Sequence, residues 1–201
     1  MHKKAVIVCS GPSLVNFDFS SLNDLNCSVF AVNYIYKLLP KVDYWVSCDT
    51  WAAGAAELVE PVQPFFFYPE SKHFSNLPSN THYTKTWPPL SMPHERTFPV
   101  GSNEEGGFDS GLLAIALALH MGIRNIAILG FDVTKNASYR KEGWDMDDTG
   151  KYHCADLYLE RLKGKAEELY NATIINGSLN SRCEAWIRTT PEEAVRWIKQ
   201  L

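Results

Sequence analysis

Small polar residues follow apolar runs at several points in this 201-residue chain, and their types suit the binding of phosphate. The first set is Ser10, Gly11, Pro12 and Ser13, directly after the apolar run that ends at Cys9. A glycine lets the backbone approach a bound group, proline suits the first position of a helix, and amides at a helix start attract anions. The turn therefore predicts a phosphate or nucleotide site, although it matches neither GxGxxG nor the Walker pattern.

Groups of the same kind stand at four further points. Asn33 ends the apolar run FAV, and its amide can donate and accept, with capping of a turn as the alternative. Asp49 follows YWVSC and can cap the next helix, accept from a ribose hydroxyl or hold Mg²⁺. Ser110 and Gly111 begin an Ala/Leu-rich stretch, and Asp132 ends the run IAILGFD. We expect these positions to meet at the edge of a sheet where ligands bind.

The elements that would position these residues alternate between strand and helix. Apolar runs predict strands at residues 5–9, 29–32, 44–48, 64–68, 126–130 and 173–175. Helices are predicted at residues 51–59, 110–121, 154–170 and 191–201. This alternation indicates an α/β fold: a single Rossmann-like three-layer α/β/α sandwich with a mostly parallel sheet.

The length favours one domain over residues 1–201. Residues 69–108 hold six of the eleven prolines and show no periodicity, so we expect an irregular insertion there, either a lid or a surface loop. The net charge of −4, with no basic cluster longer than two residues, argues against tight binding of duplex nucleic acid.

Five cysteines without CxxC spacing indicate a reduced, cytoplasmic protein rather than a disulfide or zinc scaffold. No signal peptide is evident, and the longest apolar stretch is too short to span a bilayer, so we expect no membrane partner.

Taken together, the GPSL turn, the strand-end Asn33, the Ser110-Gly111 helix start, the strand ending in GFD and an isolated His153 resemble glycosyltransferase family 42. These are bacterial sialyltransferases that use CMP-activated sialic acid, and the resemblance covers about residues 4–178. A looser resemblance is to the archaeal 6-hydroxymethylpterin pyrophosphokinase-like family, which shares the GPSL turn and a strand-end Asp. Phage genomes carry short proteins of this general type.

The resemblance implies transfer of a sugar from a nucleotide donor to a hydroxyl of a small molecule, glycan or modified nucleotide, with no required cofactor. It makes His153 the base that takes the acceptor proton, since imidazole titrates near neutrality. Tyr139 or Tyr152 would assist the leaving phosphate. The residues that would bind the nucleotide are Ser10, Gly11, Pro12, Ser13, Asn33, Asp49, Ser110, Gly111 and Asp132. The sialyltransferases carry Asn at the position of Asp49.

Two alternatives remain open at this point. One is a Mg²⁺-dependent pyrophosphoryl or phosphoryl transferase, in which Asp49, with or without Asp132, would hold the metal. The other is a protein that binds a nucleotide and turns nothing over.

Overall fold

One parallel sheet organises the part of the chain that this computed structural model describes, which is residues 3–49, 52, 56–58, 61–67, 77–84, 110–132, 163–164 and 166–201. Its strands are β1 (Lys4–Val8), β2 (Ser28–Val32), β3 (Tyr44–Ser47), β4 (Gln63–Phe67), β5 (His82–Thr84), β6 (Asn125–Leu129), β7 (Thr173–Gly177) and β8 (Ile187–Arg188). The spatial order is β5-β4-β3-β2-β1-β6-β7-β8, and every neighbouring pair is parallel. The central strands are apolar on both faces because both faces are covered.

All six predicted strands are present, and the structure adds two. Strand β5 lies inside residues 69–108, so the expectation that this segment is irregular was wrong at His82–Thr84, which pair with β4. Strand β8 is only two residues long and is exposed. Both lie at the edges of the sheet, where a strand needs no long apolar run to form.

Two helices cover opposite faces of this sheet, which confirms the three-layer prediction. Helix α1 (Ser110–His120) is buried from its first residue to Leu119 and packs with the core on one face. Helix α2 (Pro191–Gln200) buries one apolar stripe against the other face. Gly122, with φ of +86°, follows α1, and glycine is the residue that most often ends a helix in this left-handed conformation.

Shorter helical segments complete the layers. Three 3₁₀ helices span Pro12–Leu14, Phe19–Leu22 and Asn33–Leu38. The described residues of the predicted 154–170 helix, 163–164 and 166–170, are helical. Ala52 is helical, but residues 56–58 are not, so the helix predicted over residues 51–59 was too long.

The chain reverses its direction of winding between β1 and β6. Strands β2 to β5 extend the sheet to one side of β1, and β6 to β8 extend it to the other. In doubly wound sheets, a ligand binds in the crevice at the carboxyl ends of the two strands flanking this switch point. No helix in the described part of the chain is long and apolar enough to cross a bilayer.

Candidate functional site

The turn after β1 and the end of β6 are joined at the switch point by a buried carboxylate. Asp132 Oδ2 accepts hydrogen bonds from the Ser13 amide at 3.2 Å and from the Ser13 hydroxyl at 2.9 Å. Asp132 is 5% exposed, and burial raises its pKa while the two bonds from Ser13 act in the opposite direction. Two residues predicted to form one site, 119 positions apart, are thus in direct contact.

Contacts within the protein explain why residue 11 is a glycine. Its φ of −72° and ψ of 159° suit any residue. A Cβ placed there would overlap Asp132 Oδ2 and the carbonyl oxygen of Gly130. We predicted close approach of the backbone to a ligand, but the close approach in the structure is to the loop after β6.

The amides of Gly11 and Ser13 are already donated within the protein, so the expectation of bare amides for an anion at Gly11 was wrong. Gly11 N donates to Gly130 O at 2.9 Å, and the Ser13 amide donates to Asp132. Pro12 is the first residue of the 3₁₀ helix, as expected, and has no amide hydrogen. Ser10 lies half-buried at the same edge. The amides of Gly11 and Ser13 and the Ser13 hydroxyl are therefore all directed into the protein.

The end of β7 adds a hydroxyl that the sequence analysis missed. Ser178 is fully buried, and its Oγ lies 2.9 Å from Ser13 Oγ. Because the single hydroxyl hydrogen of Ser13 is donated to Asp132, Ser178 is the donor in this contact. The signal was a serine after the apolar run TII-N-G, the same pattern that marked the other strand ends.

A second polar cluster lies at the ends of β2 and β3 and the start of α1. Asn33 Nδ2 donates to Asp49 Oδ2 at 2.8 Å, and Ser110 Oγ donates to the same oxygen at 3.4 Å. Ser110 Oγ also accepts from the Cys48 amide at 3.1 Å. The structure therefore brings together three predicted site residues from three separate elements. Gly111 is buried in the first turn of α1 beside them.

Asn33 is held in one orientation by its neighbours. It has φ of +56°, which is uncommon for a residue other than glycine. Its carbonyl oxygen accepts from Trp45 Nε1 at 2.8 Å, and its Oδ1 accepts from Ser47 Oγ at 2.6 Å. The Asp49 amide donates to the same Ser47 hydroxyl at 3.1 Å. The side-chain amide of Asn33 is thereby fixed with its nitrogen toward Asp49. Ser47 was also missed, since a lone serine within an apolar strand gave little signal.

The two clusters lie along the carboxyl edge of one parallel sheet, as the strand-end pattern predicted. His153, Tyr139 and Tyr152 lie outside the described residues, so their catalytic roles stay predictions. Within the described ranges, no group of three or more His, Cys, Asp and Glu side chains is arranged to hold a metal ion. Asp49 and Asp132 belong to different hydrogen-bond clusters.

Two solved structures share the fold. The sialyltransferase CST-II, in complex with a trisaccharide acceptor and CMP, aligns with a TM-score of 0.58 at 16% identity, covering 94% of this chain and 86% of that one. A single-residue variant of CST-II in complex with CMP aligns with a TM-score of 0.56 at 15% identity, covering 95% and 87%. No family model and no curated protein matches the sequence. Neither structure is a pterin pyrophosphokinase or is described as a phage protein, so those parts of the resemblance stay predictions.

Proposed function

We propose that this chain is a nucleotide-sugar-dependent glycosyltransferase of the sialyltransferase type. The observation that carries the proposal is the pair of polar clusters at the carboxyl edge of the sheet, on either side of β1. This is where doubly wound sheets bind nucleotides. This chain shares its fold with a sialyltransferase whose structure contains CMP and a trisaccharide acceptor, which also supports the proposal.

In this proposal the nucleotide of the donor lies along the edge. Asn33, Asp49 and Ser110 face its nucleoside, and Ser10, on the turn after β1, lies near its phosphate. The acceptor hydroxyl loses its proton to His153, its oxygen bonds to the anomeric carbon, and the bond from that carbon to the nucleotide phosphate breaks. Tyr139 or Tyr152 would donate a hydrogen bond to the departing phosphate. We place this activity in the cytoplasm, as expected from five cysteines without CxxC spacing.

The Mg²⁺-dependent phosphotransferase alternative would use Asp49 and Asp132 as metal ligands. Both carboxylates accept hydrogen bonds from neighbouring side chains through Oδ2. A carboxylate that bound Mg²⁺ through this oxygen would have to lose these hydrogen bonds or accept them together with the metal. We therefore favour sugar transfer.

The test is a panel of CMP-, UDP- and GDP-sugars, with and without EDTA, followed by chromatographic measurement of nucleotide release. We expect release from one nucleotide class, and release that persists in EDTA. An ATP-dependent product that EDTA abolishes would favour the phosphotransferase. No binding of any nucleotide in a thermal-shift assay would contradict the proposal.

The role of His153 has its own test. His153→Ala is expected to bind the nucleotide nearly as well as the wild type and to turn over at least about 100-fold more slowly, because general base catalysis contributes roughly that much. His120→Ala is the matched control, since His120 is exposed at the end of α1. Turnover retained by His153→Ala would remove His153 from the mechanism.

A further inference from the structure

The loop after β7, residues 178–183, is attached to the segments that follow both strands at the switch point. Ser178 Oγ lies 2.9 Å from Ser13 Oγ, which belongs to the turn after β1. Ser181 Oγ donates to the carbonyl oxygen of Phe131, after β6, at 2.7 Å. Both serines of the loop are buried. The loop is therefore part of the same sheet edge as the turn after β1.

Arg182 lies on this loop with its backbone bound and its side chain exposed. Its amide donates to the carbonyl oxygen of Asp132 at 3.0 Å, which places it directly beside the end of β6. Its neighbours Ser181 and Cys183 are buried, so Arg182 is an exposed residue between two buried ones. Within the described part of the chain, its guanidinium forms no ion pair and no hydrogen bond. A fixed backbone thus presents a positive charge at the carboxyl edge of the sheet.

A phosphate that binds at the switch point needs a partner for its negative charge. The amides of Gly11 and Ser13 are donated within the protein and Pro12 has none, so these three residues cannot supply the backbone N–H groups that bind anions at other helix starts. Among the described residues that directly follow β1, β6 and β7, Arg182 alone is positively charged. These residues are 9–14, 130–132 and 178–182.

Two carboxyl groups are close to Arg182, and neither is paired with it. Asp132 is buried, its Oδ2 accepts two hydrogen bonds from Ser13, and burial raises its pKa, which disfavours the charged form. Glu184 is exposed two residues further along and forms no ion pair with Arg182. The guanidinium is therefore available to an anion from solution.

We propose that Arg182 binds the phosphate group that joins the nucleotide to its sugar and stabilises the charge this phosphate gains during transfer. When the bond to the sugar breaks, its electron pair stays on the phosphate oxygen, next to the guanidinium. The planar guanidinium suits this role because it can donate two parallel N–H bonds to two phosphate oxygens. The inference rests on the proposed function, because it requires a nucleotide at this edge, and it adds a residue that contacts the leaving group.

The experiment compares the binding of CMP with that of cytidine, which lacks the phosphate, by calorimetry on the intact chain. We expect Arg182→Gln to bind CMP about 10- to 100-fold more weakly than the wild type, the effect of losing hydrogen bonds between charged groups. Cytidine should bind equally well to both. Arg196→Gln, which removes an exposed arginine from α2, is the matched control and is expected to bind both ligands as the wild type does.

A second variant and a second measurement extend the test. Arg182→Lys keeps the charge but cannot donate two parallel N–H bonds, so its loss of CMP affinity is expected to lie between zero and that of Arg182→Gln. With a nucleotide-sugar that the wild type cleaves, kcat of Arg182→Gln is expected to fall about 100-fold, because the charge on the phosphate grows as the bond breaks. An unchanged kcat would overturn the stabilising role.

The binding results separate the inference from the proposed function. If Arg182→Gln binds CMP as tightly as the wild type, the inference is overturned and the proposed function stands. Equal losses for CMP and cytidine would also overturn it, because they would indicate a distorted loop rather than a lost phosphate contact. If neither CMP nor the corresponding uridine, guanosine and adenosine monophosphates bind to the wild type, the inference and the proposed function fail together.

Discussion

Replacing Gly11 with alanine is expected to destabilise the protein by about 3 kcal/mol, near the upper end for added volume in a packed site. The new Cβ would overlap Asp132 Oδ2 and also the Gly130 carbonyl, and no side-chain rotation moves a backbone oxygen away. The backbone angles of Gly11 suit alanine, so crowding is the whole cause. For a chain of this size the melting temperature should fall by about 6 to 12 °C.

Two other glycines provide matched controls. Gly164 is helical and a Cβ there meets nothing within 4 Å, so Gly164→Ala is expected to stabilise by about 0.5 to 1 kcal/mol. Gly122 is equally open but has φ of +86°, so Gly122→Ala is expected to cost about 1 kcal/mol from backbone strain alone. Urea unfolding followed by tryptophan fluorescence measures all three.

A double-mutant cycle isolates the contact itself. Adding Asp132→Ala to Gly11→Ala removes one of the two overlapping groups. The double variant is therefore expected to lose less free energy of unfolding than the two single variants lose in sum. If the free energy of unfolding of Gly11→Ala is within about 0.5 kcal/mol of the wild-type value, the close packing of the β1 turn against the β6 loop is refuted.

Three further outcomes are expected. Burial raises the pKa of Asp132, so the stability due to this group is present below its unfolded pKa of about 3.9 and is lost as pH rises through the raised value. In urea unfolding between about pH 4 and pH 7, the free energy of unfolding of Asp132→Asn should therefore increase relative to the wild type, and a constant difference would contradict this. Iodoacetamide is expected to modify the half-buried Cys48 before Cys27, because burial raises the pKa of the Cys27 thiol to about 11. Equal rates of modification in peptide mass spectrometry would contradict this. Thr190→Ala removes the capping box with Glu193 at the start of α2 and should lower the free energy of unfolding by about 1 kcal/mol in urea, where no change would refute the cap.

The central strands could be predicted because each is a continuous apolar run that only a sheet covered on both faces can bury. Strands β5 and β8 could not, because they have three and two residues and pair through the backbone at the sheet edges. Such pairing leaves no periodic pattern of side chains to detect.

The candidate site was predictable as a set of positions but not as a set of contacts. The sequence places Ser13, Asn33, Asp49, Ser110 and Asp132 at strand ends or helix starts, and parallel strands bring those ends to one edge. Which group bonds which depends on strand order, and the pairing of β1 with β6 is not visible locally. The amides of the first turn are donated inward for that reason, and the sequence alone predicted the opposite.

The pairing of β1 with β6 also has a kinetic consequence. Ser13 and Asp132 are 119 residues apart, and the carboxylate that holds the first turn reaches it only after the loop between them has closed. Closing long loops slows folding, and sheets of distant parallel strands are among the slower topologies to assemble. During synthesis, the amino-terminal strands leave the ribosome well before β6 is available. A nucleotide at the switch point would bind only chains that have completed this step, so it would act as a late stabiliser of the finished fold.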